Sequence, residues 1–138
     1  MDPAAVIGLL ASCLTIASKT VSSLNDVYTL YQQYSSTHIE IQSLLGRVES
    51  VNTALSGLKR WKEKPSLRRF DAINSLESAI VSCSTVLCEI KKHAEKTKSE
   101  GVTAKIRHIW NKEFIKGFSD DMDSQINALN LLLLSIAL

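Results

Sequence analysis

The chain has 138 residues, 45% of them hydrophobic, with 16 basic and 14 acidic side chains leaving a net charge of +2. That length and apolar content suffice for one domain with its own core, and five Gly, two Pro and 6% aromatic residues leave little material for the turns of a β protein, so an all-α fold is expected. Three cysteines, Cys13, Cys83 and Cys88, are an odd number, and the last two are turned about 140° apart on a helix; no disulfide framework or zinc site is expected, and a reducing, cytoplasmic setting fits.

From Pro3 to Ser18 the chain carries sixteen consecutive uncharged residues. As a helix they rise about 24 Å, short of the roughly 30 Å core of a bilayer. If Lys19 snorkels, the uncharged run reaches Asn25 and about 35 Å, which is enough. A cleaved leader does not fit, because the only charge before the run is acidic, Asp2, where a leader carries Lys or Arg. Val6, Leu10, Cys13, Ala17, Val21, Leu24, Val27 or Tyr28, Tyr31 and Tyr34 recur at helical steps, so a first helix is expected over about 3–34. Asp2 is its expected N-cap with Pro3 at the first helical position, and Ser22 to Asn25 is its weak stretch. Ala4, Gly8 and Ser12, with Ala11 and Thr15 beside them, form a small-residue edge of the kind that lets helices approach closely, in a bilayer or in a core.

Ser35 to Thr37 make a polar break before a second helix, expected over about 37–61. Its apolar residues, Ile41, Leu44, Val48, Val51, Leu55 and Leu58, keep a three-four alternation that asks for bundle partners. Pro65 ends this region and Ser66 caps a third helix over about 66–98, striped by Phe70, Ile73, Leu76, Ile80, Cys83, Leu87, Ile90 and Ala94 and closed by Gly101. A short amphipathic helix is expected over about 102–110, with Val102, Ile106, Ile109 and Trp110. The last, over about 112–137, is capped by Asn111 or continuous with its predecessor, and carries Phe114, Ile115, Phe118, Met122, Ile126, Leu129, Leu133 and Ile136 through Gly117. These elements amount to a four- to five-helix antiparallel up-and-down bundle, a single domain over 1–138 cut from the front of a longer protein.

Charge is unevenly distributed: residues 1–58 carry −2, 59–118 carry +7 and 119–138 carry −3. Lys59, Arg60, Lys62, Lys64, Arg68 and Arg69 cluster around the connection after the second helix, with Trp61 and Phe70 among them. Six such charges suit an anionic lipid surface at about 1 kcal/mol each; the same patch suits a solvated loop, and nucleic acid is the less favoured partner. Lys91, Lys92, Lys96 and Lys98, interleaved with Glu89, Glu95 and Glu100, read as an exposed helix face. There is no GxxxxGKS or GxxxxGKT phosphate loop, no HExxH and no GxSxG, and His38, His93 and His108 are scattered among polar neighbours as solvent-facing residues. No enzyme activity and no cofactor are expected.

The opening MDPAAVIGLLASCLTIASKTVSSL, the stretch EIQSLLGRVESVNTALSGLK, and the late IRHIWNKEFIKGF with DSQINALNLLLL resemble the N-terminal domain of fungal STAND proteins, the NLR-like receptors, and the related HeLo-like group. The fixed points of the resemblance are the MDP opening, Trp110 and the closing Leu-rich helix. It implies a helical bundle at the front of a signalling protein whose next part is a nucleotide-binding oligomerisation module. HeLo-like domains are in turn similar to the executioner domains of animal necroptosis and the coiled-coil domains of plant immune receptors, which attack membranes when clustered. The resemblance thus implies self-association on activation, movement from cytoplasm to plasma membrane, and a membrane-active first helix carrying Ala4, Val6, Ile7, Gly8, Leu9, Leu10, Leu14 and Ile16. The rival expectation is a non-lytic bundle that makes homotypic or adaptor contacts.

Overall fold

The computed structural model describes residues 3–32, 38–60, 70–100 and 110–137. Their regular structure is helical throughout: α1 (Pro3–Gln32), α2 (His38–Arg60), α3 (Phe70–Glu100) and α4 (Lys112–Ala137). These are the four long helices expected. The short helix over 102–110, except Trp110, and the proposed caps and breaks at Asp2, Ser35 to Thr37, Pro65, Ser66 and Gly101 lie outside the described residues. α1 passes through Ser22 to Asn25 without interruption. α4 begins where its cap was expected: the Asn111 side-chain oxygen accepts the Phe114 N–H at 2.8 Å, satisfying one of the donors a helix start leaves open.

α1 packs on α2 and α3, and α4 packs on the same two helices. The contacts between helices fix their directions. Cys13 meets Ile80 and Thr20 meets Leu87, seven residues further along both α1 and α3, so this pair runs the same way. Arg47 meets Asp123 and Gly57 meets Leu133, ten residues further along both α2 and α4, so this pair does too. Between α3 and α4 the order reverses, since Gln125 bonds Ser82 whereas Phe114 stacks on His93. The chain therefore alternates in direction, but round the bundle the order is α1, α2, α4, α3. The simple up-and-down ring suggested by short connections, in which all neighbours are antiparallel, is replaced by one with two parallel seams, and α2 stands diagonally from α3.

The core is the set of stripes that face inward. All six stripe residues of α2 are buried, as are Leu76, Ile80, Cys83, Leu87, Ile90 and Ala94 of α3, with Ile115, Met122 and Leu129 of α4. In α1 the stripe holds at Val6, Leu10, Cys13, Ala17, Leu24 and Val27 but not at Val21, which is half-buried while Thr20 takes the core position. A threonine is tolerated there because its hydroxyl has two carbonyl acceptors in reach, Ile16 O at 2.8 Å and Leu87 O at 3.3 Å. Cys13, Ala17, Thr20 and Ser23 make the buried centre of α1 small-sided, which lets its backbone lie close to that of α3.

Candidate functional site

The directions of the helices bring the start of α1, the end of α2, the start of α3 and the end of α4 to one end of the bundle. This end collects what the sequence singled out. Of the expected membrane-active residues, Val6 and Leu10 are 3% exposed and belong to the core. Ile7, Leu9, Leu14 and Ile16 are half-buried, Gly8 is exposed, and the Ala4 side chain lies outside the described residues. The eight residues therefore do not form one outward surface; Val6 and Leu10 lie in the core, and Leu9, Leu14 and Ile16 pack against it.

What α1 shows to solvent is the small-residue edge. Ala5, Gly8, Ala11, Ser12, Thr15 and Ser18 are exposed, and a Cβ added at Gly8 would meet nothing within 4 Å. Of the two uses open to such an edge, in a bilayer or in a core, the second does not apply within the bundle, because at 100° per residue the edge lies opposite the buried stripe. The close approach uses Cys13, Ala17 and Thr20 instead. Over its first turns α1 is thus uncharged on every side: apolar inward, small and neutral outward. Ala5–Leu30 is the one stretch among the described residues long and apolar enough to cross a membrane, with a mean hydropathy of 1.6. A helix buried in a protein core passes the same test.

Of the basic cluster, Lys59 and Arg60 are described and exposed; Lys62, Lys64, Arg68 and Arg69 lie outside the described residues. Lys59 and Arg60 fill the last turn of α2, where cations complement the carbonyl end of the helix dipole. Arg60 also closes one end of a groove of about 670 Å³ between α2 and α4, floored by Ala54, Gly57, Ile126 and Leu133. Towards the same end of the bundle α4 exposes Leu131 and Leu134, 66% and 63% accessible. The sequence reading did not single these two out, though four consecutive leucines, 131–134, cannot all face one side of a helix.

The other end is built from polar and aromatic contacts. Trp110 is fully buried and its indole N–H donates to the Thr97 hydroxyl, which donates in turn to the His93 carbonyl at 2.8 Å. The His93 ring, expected in solvent, is half-buried and packs edge-on against Phe114 at 4.8 Å, with Phe118 next to both. Lys98 reaches Asp26 of α1 at 2.8 Å, so this lysine is not simply part of a solvated face; Lys91 and Glu95 do form the surface i,i+4 pair that the charge pattern implied.

At mid-bundle, α1 and α3 each bury a cysteine. Cys13 and Cys83 are both shut off from solvent, and the Cys13 thiol donates to the Ile80 carbonyl of α3 at 4.0 Å. The Cys83 thiol, with help from the Ser84 hydroxyl, holds Cys13 below the usual thiol value, at about 7, against the burial that opposes ionisation. The proton left on Cys83 is held far more tightly than usual, by Cys13 and by burial. The contact of Cys13 with the Ile80 carbonyl was invisible in the sequence, since it depends on the register of α1 against α3. Among the described residues no group of His, Cys, Asp and Glu could hold a metal ion. No protein family, curated protein or solved structure matches the chain.

Proposed function

We propose that this bundle is a membrane-targeting effector domain activated by clustering, of the HeLo-like kind that stands at the front of fungal NLR-like receptors, and that its output is membrane disruption in programmed cell death. At rest it is cytoplasmic with α1 folded in. A nucleotide-binding oligomerisation module later in the same chain gathers copies, and α1 exchanges its protein neighbours for the lipid of the plasma membrane. The observation that carries this reading is α1 itself, the most apolar helix, uncharged on all sides from Ala5 to Ser18, yet seated through a centre of small side chains. The apolar surface that α1 buries in the bundle can be buried in a bilayer instead, and clustering supplies the avidity a single marginal helix lacks. Lys59 and Arg60, at the end where α1 begins, add about 1 kcal/mol each near anionic lipid.

A homotypic-interaction bundle is the second reading, and the exposed Leu131 and Leu134 of α4 favour it. One experiment separates the two. The chain fused to a trimerising coiled coil is added to dye-loaded vesicles of phosphatidylcholine and phosphatidylserine. Dye release is expected from the wild type, with at least a tenfold loss in Gly8→Glu, which keeps its fold because the position is open to solvent. Leu10→Glu is the poorer probe, since it buries a charge in the core and unfolds the bundle. Folded wild-type trimers that release no dye, yet associate further in a manner abolished by Leu131→Glu, would overturn the membrane reading in favour of the second.

A further inference from the structure

The groove between α2 and α4 has no part in the exchange of α1 for lipid, and its height in the bundle indicates what fills it. Leu133 lies across it, 3.3 Å from the place a Cβ on Gly57 would take. Between Glu49 and Arg60, α2 lines it with Ser50, Thr53, Ala54 and Gly57, side chains too small to fill the seam, which stays open over about 670 Å³. Ser50 and Thr53 are exposed, and their hydroxyls already donate to the Gly46 and Glu49 carbonyls, each at 3.0 Å, so covering them strands no donor.

The contacts that set the directions of the helices also set their levels. Cys13 is level with Ile80, so Thr15 is level with Ser82, which bonds Gln125. Arg47 is level with Asp123, so Gln125 is in turn level with Glu49. From there α1, read back towards its start, and α2, read towards its end, climb together, and Gly8 comes about level with Gly57. Over that height the outward side of α1 carries Gly8, Ala11, Ser12 and Thr15, exposed and uncharged, with the Thr15 hydroxyl already bonded to the Ala11 carbonyl. One turn beyond Thr15 stands exposed Lys19, the first charge of the helix.

We propose that the α2–α4 groove is a self-association site whose occupant is the outward side of α1 of a second copy. Small side chains on both partners let the incoming helix sink between α2 and α4. With the copies level, its Gly8 lies over Gly57, its Thr15 beside Ser50, and its Lys19 ammonium at the end of the groove that carries the Glu49 carboxylate. The incoming α1 runs against α2 as it does within its own bundle, so the copies stand the same way up. Groove and occupant are different faces of one chain, which makes the contact heterologous; repeated, it builds a ring or a row with every α1 start on the same side. The inward side of α1 stays in its own core throughout. The association therefore needs no lipid, and it goes beyond the membrane reading without depending on it.

The test is sedimentation equilibrium of the full chain without lipid, at concentrations reaching about 1 mM because a contact of this length is weak. The wild type is expected to pass from monomer to larger species as concentration rises. Ser50→Trp, which plugs the groove from an exposed position, should abolish the association, while Leu131→Glu should leave it intact. Lys19→Glu and Glu49→Lys should each weaken it about threefold or more, and the chain carrying both, or an equimolar mixture of the two single variants, should restore it. Lys19, Glu49 and Ser50 are all exposed, so these variants keep the fold, which thermal melting verifies. A wild type that stays monomeric throughout, association that survives Ser50→Trp or is lost in Leu131→Glu, or a charge-swapped chain no stronger than the single variants would each overturn the proposal. Because sedimentation involves no vesicle, failure of the groove contact and failure of the membrane reading are told apart.

Discussion

The two ends of the bundle are held by different physics. Where α1 and α3 finish, a buried indole, a hydroxyl relay through Thr97, an aromatic cluster of His93, Phe114 and Phe118, and the Asp26–Lys98 pair bind three helices to one another and to Trp110. Where α1 and α3 begin, α4 shows exposed Leu131 and Leu134, α2 ends in exposed Lys59 and Arg60, and the outward face of α1 is small and neutral. Directional contacts specify one geometry, while apolar burial is indifferent to what covers it. A bundle so built can loosen from one end while the other stays assembled, and α1 spans both.

The largest test of that contrast is Trp110→Ala. It empties a fully buried site and should cost about 3–5 kcal/mol in urea unfolding, whereas Leu131→Ala and Leu134→Ala at the other end should each stay within about 0.5 kcal/mol. Equal effects at the two ends would remove the distinction. Thr97→Val comes next. It keeps the shape but removes the acceptor of the indole N–H, leaving a buried donor without a partner, and should cost about 1–3 kcal/mol by the same measurement. Restoring the balance with Trp110→Phe, which has no N–H to satisfy, should make Thr97→Val nearly neutral, and that dependence identifies the hydrogen bond as the source.

Much of this architecture is legible in the sequence, and the illegible parts share a cause. The six stripe residues of α2 are named by spacing alone because the helix is long, regular and apolar at every core position. In α1 the spacing misplaces one step, choosing Val21 over Thr20, because a hydropathy pattern cannot know that a carbonyl of α3 stands ready for the threonine hydroxyl. The same blindness hides the contact of Cys13 with the Ile80 carbonyl, the indole bond of Trp110 and the order of helices round the bundle. Each is a relation between elements, set by register and direction, and periodicity within one helix carries no information on either. The candidate site is legible as composition, in the uncharged run and the basic turn. Its geometry is not, since which side of α1 faces inward depends on where α2 and α3 stand.

The Asp26–Lys98 pair gives the smallest and most discriminating test, because it joins α1 to α3 at the secured end through charge alone. Its carbonyl-free, partly solvated geometry, with the two side chains 50% and 40% exposed, limits it to about 0.2–1 kcal/mol. A double-mutant cycle of Asp26→Asn and Lys98→Met, read by urea unfolding, should give a coupling in that range that shrinks as salt shortens the Debye length. The consequence for α1 is larger than the energy. If the pair helps to keep the C-terminal half of α1 docked, its loss should raise amide exchange most along 20–32 and leave α2 unchanged. Exchange that rises first along 5–18 instead would mean that the helix is released from its apolar start regardless of how its far end is tied.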